Sequence, residues 1–239
     1  MQSPSVLARK LVRLPLKLVP ALRPMPVLSG PLAGKRWLST SGTHGCWLGI
    51  YESELQRLLV DSLSAGDVFL DVGANVGFFS LLGATLVGPA GKVVAFEPVS
   101  ENAQLLLRNL ALNKVSNVQL IEAAVADRVG TASFEDGQSP SQGRLGTGGR
   151  SVPVVTLDGL LASGAIPVPQ VIKMDIEGAE SLALAGARGL LSAHRPKLLL
   201  STHGYQQQAQ CLEFLHALGY STVLRRDGRT DGQYEVVAT

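Results

Sequence analysis

From about residue 50 onward, apolar positions alternate between short unbroken runs and spaced helical repeats. The runs VFLDVG (68–73), KVVAFEP (92–98), VQLIEAAV (118–125), VIKMDI (171–176) and KLLLST (197–202) are rich in β-branched residues and almost continuously apolar. A strand of that kind is buried on both faces, as in a parallel sheet covered by helices. Between the runs the period changes. Phe78 to Val87 reads as a helix, Ala103, Leu106, Leu107 and Leu110 follow Ser100 as the expected cap, and Cys211, Phe214, Leu215 and Leu218 recur at 0, 3, 4 and 7. The alternation predicts an α/β chain with a doubly wound, mostly parallel sheet. At the end, YSTVLRR and YEVVAT flank DGRTDG, which predicts an antiparallel hairpin at one sheet edge.

Two segments break this rhythm. EDGQSPSQGRLGTGGRS (135–151) is rich in Gly, Ser and Gln and long for a connection, so it reads either as a cover over a site or as a passive insertion. The first 44 residues form a basic leader and extension ahead of a domain expected over 45–239. Leu7, Leu11, Leu14 and Leu18 are spaced as on a helix with bases between them, and Pro15 and Pro20 interrupt the pattern. Two readings stay open: weak contact with a membrane surface through this basic segment, or a leader packed loosely on the domain.

Charge sharpens the picture. The net charge is +2, but Arg9, Lys10, Arg13, Lys17, Arg23, Lys35 and Arg36 are unopposed until Glu52, and without those seven the chain has fourteen bases against nineteen acids. A mildly acidic body argues against nucleic acid as partner. Neither a motif of the Asn-Pro-Pro-Tyr kind for a flipped base nor a basic aromatic platform is visible in it. Cys46 and Cys211 belong to no CxxC or zinc-ligand spacing, which suits a reducing compartment. With no apolar run of about 18 residues and no secretory signal pattern, the expected location is the cytoplasm, peripheral to a membrane if the leader binds one.

The candidate chemistry begins at DVGANVGFFS (71–80), where Asp71 ends a predicted strand and Gly73 and Gly77 flank Ala74, Asn75 and Val76 before the helix at Phe78. Ligands of open α/β sheets bind at the carboxyl ends of strands. Gly73 allows close approach of backbone to a ligand, and Gly77 allows the helix to start close to the strand. A GxGxxG dinucleotide fingerprint would need glycines at the places held by Asn75 and Phe78. Glu97 ends the second strand twenty residues after Gly77, where a carboxylate can accept both hydroxyls of a ribose. A nucleoside ligand follows. A pyrophosphate at its other end would call for open backbone amides, whereas a methionine tail carries an ammonium, for which Asp71 supplies a carboxylate.

FLDVGANVGFFSLLGATLVGPAGKVVAFEP, NLALNKVSNVQLIEAAVAD, VVTLDGLL and VIKMDIEGAESLALAGARGLL together resemble the FkbM family of S-adenosylmethionine-dependent methyltransferases. The similarity runs from about Gly45 to His203 and includes DVGANxG, FEP, TLD and KxDxEGxE in order. The resemblance implies a class I methyltransferase (Rossmann-like) fold with strand order 3-2-1-4-5-7-6. It also implies S-adenosyl-L-methionine as cofactor and methyl transfer usually to oxygen of a natural-product or carbohydrate acceptor. It places Asp71, Gly73, Ala74, Asn75, Gly77 and Phe78 along the methionine side, Glu97 on the ribose, Pro98 against the nucleoside and Ala124 near the adenine. Glu122, where relatives often have Asn, is expected to stay out of that contact.

KMDIEGAE forms the other half of the site. Asp175 falls at the end of the fourth strand, facing the sulfonium or receiving the acceptor's proton. Glu177 and Glu180 start a helix whose dipole favours acids, and Lys173 shares the face of Asp175 and can neutralise a carboxylate. Asp158 reads as a helix cap. Of the histidines, His203 alone lies at a predicted strand's carboxyl end, where a neutral imidazole could take a hydroxyl proton. His44, His194 and His216 have no expected chemistry. The expected reaction is SN2 transfer to a hydroxyl of a small-molecule or glycan acceptor, assisted by Asp175 or His203, with no metal required, although the carboxylates of Asp175 and Glu177 could together hold magnesium. An inactive nucleoside-binding protein of the same fold and an NAD-linked oxidoreductase are the alternatives. The oxidoreductase is disfavoured by the missing glycines and by Asp71.

Overall fold

The structure, a computed structural model, describes residues 20–135, 144–146, 148–225 and 233–239. The leader through Val19, most of the 135–151 segment and the DGRTDG turn lie outside them. The chain forms two compact units that divide between Ser53 and Glu54. In the first, β1 (Pro24–Pro26) pairs antiparallel with β2 (Arg36–Leu38), followed by α1 (His44–Leu48). Its buried Trp37 donates Nε1–H to Ser41 O at 2.7 Å, and Trp47 O receives the Leu28 N–H at 2.9 Å. The Trp47 bond ties α1 to the chain just after β1.

The second unit runs to Thr239. It contains α2 (Ser53–Val60) from its second residue on, β3 (Val68–Val72), α3 (Phe78–Val87), β4 (Lys92–Phe96), α4 (Ser100–Leu112), β5 (Val118–Ile121), β6 (Ala124–Val125), β7 (Gly130–Glu135), β8 (Arg144–Gly146) and β9 (Arg150–Val155). There follow α5 (Leu157–Ala162), β10 (Val171–Met174), α6 (Glu180–Ala185), α7 (Arg188–His194), β11 (Lys197–His203), α8 (Tyr205–Ala217), β12 (Thr222–Arg225) and β13 (Gln233–Ala238). The main sheet has seven strands in the order β5-β4-β3-β10-β11-β13-β12. Numbered along the chain, this is the expected 3-2-1-4-5-7-6. β3, β4, β5, β10 and β11 run parallel, and only β13 and its hairpin partner β12 bring antiparallel pairing. Leu70 lies beside Val94 on one side and Ile172 on the other, and all three are buried. This is why the central strands read as unbroken apolar runs.

Three local readings change. VQLIEAAV is two strands: the Ala123 N–H bonds to Ile121 O at 2.9 Å, turning the chain at Glu122, and β6 joins a separate four-stranded sheet of order β6-β9-β7-β8. The described ends of the 135–151 segment are strand edges of this second sheet. Ser100 is the first helical residue rather than the cap, and its hydroxyl donates to Glu122 Oε2 at 3.1 Å. Leu107 faces outward, half exposed, while Ala103, Leu106 and Leu110 are buried. Among the described residues no helix is long and apolar enough to cross a membrane.

Candidate active site

The carboxyl end of β3 meets that of β10, and two buried charges fix the junction. Parallel register sets Lys173 beside Asp71. Lys173 Nζ lies 3.4 Å from Asp71 Oδ1 and donates to Gly73 O at 2.9 Å, while Ser80 Oγ, in the first turn of α3, donates to Asp71 Oδ2 at 2.6 Å. Both charged side chains are buried, and Lys173 Nζ also sits 5.5 Å from the Phe79 ring centroid. Lys173 thus neutralises Asp71 and holds the first carbonyl of the glycine turn. Asp71 has no accessible surface, so it cannot itself touch a methionine ammonium.

The turn from Gly73 to Gly77 is bonded through every amide. Gly73 N–H and Ala74 N–H donate to Phe96 O at 3.1 and 2.9 Å, and Gly77 N–H donates to Ala74 O at 2.8 Å. Asn75 N–H donates to Glu97 Oε2 at 2.8 Å, and Val76 N–H to Asn75 Oδ1 at 2.7 Å. Gly73 is required by more than its φ of +79°, because a Cβ there would stand 2.0 Å from Asp175 O. The close neighbour of Gly77 is Leu106 of α4, 2.6 Å from a would-be Cβ, so this glycine admits a helix rather than the strand. Gly73→Ala is therefore expected to destabilise the fold by about 1–3 kcal/mol through overpacking. Gly178→Ala, at φ +103° with nothing within 4 Å, should cost only its backbone strain. Equal losses in urea unfolding would contradict the close approach at Gly73.

Glu97 follows the end of β4. Its Oε2 accepts Asn75 N–H, and its Oε1 accepts Val99 N–H at 2.9 Å and Asn102 Nδ2 at 3.3 Å. One carboxylate thus ties the glycine turn to the start of α4. Burial raises its pKa, outweighing the hydrogen bonds that lower it.

The third corner gathers around His203 at the end of β11. Asp175 follows β10 and donates its N–H to Val72 O at 3.1 Å. Glu177 (φ +53°) and Gly178 (φ +103°) then reverse the chain into α6. Glu180, fully buried, curls back to accept the Ile176 and Gly178 amides at 3.3 and 3.0 Å with Oε1. The same oxygen meets His203 Nδ1 at 3.0 Å, while His203 Nε2 lies 3.5 Å from both Asp175 Oδ1 and Glu177 Oε2. Gln207 of α8 closes the corner, donating to Gly178 O at 2.5 Å and accepting from Ser181 Oγ at 3.1 Å. Burial would depress the imidazole pKa, but the bond to Glu180 and the fields of Asp175, Glu180 and Glu177 raise it to about 9. At neutral pH the ring in this setting is an imidazolium, which already carries the proton that a base would have to accept.

Gly73 and Asn75 are half-buried on the turn, as is Pro98 beside Glu97. Ala74, Phe78 and Ala124 are buried: Phe78 packs edge-on to Phe79 at 5.4 Å, and Ala124 pairs with Val154 in the second sheet. Glu122 is exposed and bonded to Ser100. Asp158 is a cap, though of a distant helix, accepting Gly189 and Leu190 amides at the start of α7, both at 2.8 Å. Its own helix α5 is capped by Thr156. His44 bonds Trp47 and His216 bonds Thr222. Reading strand ends alone could not find the role of Glu180 behind the imidazole, because its contact to His203 spans 23 residues.

A family model described as the Methyltransferase FkbM domain matches residues 71–222, well over half of the chain. The chain belongs to the FkbM methyltransferase family. Hexuronic acid methyltransferase AglP of Haloferax volcanii is 29% identical over 145 residues, covering 59% of this chain and 59% of AglP. A protein-L-isoaspartate O-methyltransferase of Methanothrix thermoacetophila is 34% identical over 100 residues, 38% of this chain and 48% of that protein. The chain thus matches about half to three-fifths of the length of these curated relatives. Among solved structures, an FkbM methyltransferase from Methylobacillus flagellatus superposes with a TM-score of 0.54 at 24% identity, over 74% of this chain and 44% of that one. Fibrillarin of Aeropyrum pernix, solved with bound S-adenosyl-L-methionine, gives 0.53 at 12% identity over 78% and 74%. These likenesses identify the fold of this FkbM chain as that of the class I S-adenosylmethionine methyltransferases.

Proposed function

We propose that the chain is an S-adenosylmethionine-dependent O-methyltransferase whose acceptor is a carbohydrate or other small-molecule hydroxyl. The observation that supports this most is the adjacency of two half-sites: the turn after β3 and the loop after β10 approach until only a glycine fits between Gly73 and Asp175 O. A nucleoside held by Glu97 on one side of that junction would bring the methyl group of its methionine tail toward Asp175 on the other. The amides of residues 73 to 77 are all bonded within the protein, leaving none of them open to a pyrophosphate, which disfavours the NAD reading. Asp71 is a positioning residue in this account, acting through Lys173 and Gly73 O, and Phe78 and Ala74 shape the turn from beneath.

The reaction is a single displacement. The acceptor hydroxyl attacks the methyl carbon, the O–CH3 bond forms as the S–CH3 bond breaks, and the hydroxyl proton goes to Asp175. The products are a methyl ether and a neutral thioether. Since the sulfonium is already activated, the protein's main contribution is alignment, worth on the order of 7–11 kcal/mol. A carbohydrate acceptor is supported by the hexuronic acid methyltransferase AglP and by Tyr205, exposed two residues past His203 with the Tyr234 ring 6.3 Å away, an aromatic face on which a sugar ring can lie.

Methyl-labelled S-adenosylmethionine incubated with a panel of saccharides, uronic acids included, tests the reading; label is expected in an O-methyl ether. Cofactor binding with no transfer to any hydroxyl would favour the inactive nucleoside-binding protein. Glu97→Ala is expected to weaken cofactor binding by about 1.5–3 kcal/mol, the range for hydrogen bonds to a charged group. Unchanged affinity in calorimetry would remove Glu97 from the site.

A further inference from the structure

We propose that Asp175, Glu177 and His203 bind a divalent cation of the manganese or magnesium class. One ligand atom from each lies within 4.8 Å of the others, and His203 Nε2 is 3.5 Å from an oxygen of each acid. Cis ligands around an octahedral ion of that size sit about 3 Å apart, so a small inward adjustment completes the set. The set is mixed, two carboxylates and one imidazole, and each side chain retains partial access to solvent. Open positions therefore remain for a ligand from outside.

Two further observations point to a cation. Glu180 is wholly buried on the Nδ1 side of the ring, so a neutral His203 donates Nδ1–H to it and presents the Nε2 lone pair to Asp175 and Glu177. A carboxylate behind an imidazole is the usual outer support of a metal-bound histidine. Second, three carboxylates converge on one imidazole, and Glu180 Oε2 is buried without a hydrogen-bond partner among the described residues. The nearby Lys173 is committed to Asp71 and Gly73 O. Even with a protonated ring, three carboxylates face a single imidazolium here, negative charge that a dication would offset as it displaces the ring proton. Such a corner would otherwise repel an acceptor bearing its own carboxylate.

The ion's role in methyl transfer rests on the function proposed above; its binding does not. Asp175 Oδ1, the oxygen facing the ring, holds the ion, and Oδ2 accepts the proton of an ion-bound acceptor hydroxyl. The proposal takes up the magnesium alternative in place of the expectation that no metal is required.

Protein stripped with chelator is titrated with Mn2+ and followed by electron paramagnetic resonance, without cofactor or acceptor. Saturable binding of one ion per chain is expected, weakened at least about ten-fold in Asp175→Asn and in Glu177→Gln and unchanged in Glu122→Gln, with circular dichroism reporting the fold of each. No binding by about 1 mM Mn2+, the weak end of protein sites, would overturn the proposal, as would equal binding in all variants. Calorimetry with S-adenosylhomocysteine on the same samples separates this outcome from a failure of the methyltransferase reading.

Discussion

Lys173→Met is expected to lower the free energy of unfolding by about 3–5 kcal/mol, the cost of leaving a buried charge without its partner. Methionine keeps the length and packing of the side chain but removes the ammonium that sits 3.4 Å from Asp71 Oδ1 and holds Gly73 O. Asp71 would then retain the Ser80 hydroxyl, in a setting with no exposure to water. Cofactor affinity should fall as well, because the first carbonyl of the turn loses its anchor. Urea unfolding measures the first effect, and a double-mutant cycle with Asp71→Asn isolates it: the second change should restore a large part of the loss. If Lys173→Met and the double variant unfold alike, the buried pair is not what fixes the junction.

Asp175→Asn should reduce the rate of methyl transfer by about 10² to 10⁴, the range for loss of a general base, while the protein melts nearly as before. The substitution preserves shape at a side chain that is 21% exposed and close to His203. The amide cannot accept the hydroxyl proton, and it removes negative charge from the methyl group's path. Affinity for S-adenosylmethionine should change little, since the nucleoside contacts lie with Glu97 and the turn. A variant that transfers methyl at the parent rate would leave alignment as the whole of catalysis and remove Asp175 from the chemistry.

The parallel sheet was legible because burial on both faces writes itself into the runs at 68–72, 92–96, 171–174 and 197–202. The glycine turn was legible because Gly73 and Gly77 hold positive φ beside close neighbours. The second sheet was not. β6 continues the apolar run of β5, and only the bond from Ala123 N–H to Ile121 O separates them. The site was read as a set of strand ends, and its cross-connections were missed. Asp71 suited an ammonium until register placed Lys173 next to it. His203 suited a neutral base until tertiary contact added Asp175, Glu177 and Glu180 to its surroundings, at separations that local pattern does not report.

A nucleoside held on Glu97 is expected to direct its sulfur toward Asp175 across the Gly73 junction. A crystal structure with S-adenosylhomocysteine bound measures this directly. The expected result is ribose hydroxyls on the Glu97 carboxylate, the amino-acid tail along residues 73 to 77, and the sulfur on the side of Asp175 with the methyl position open between them. A nucleoside bound away from Glu97, or a sulfur directed away from Asp175, would contradict it.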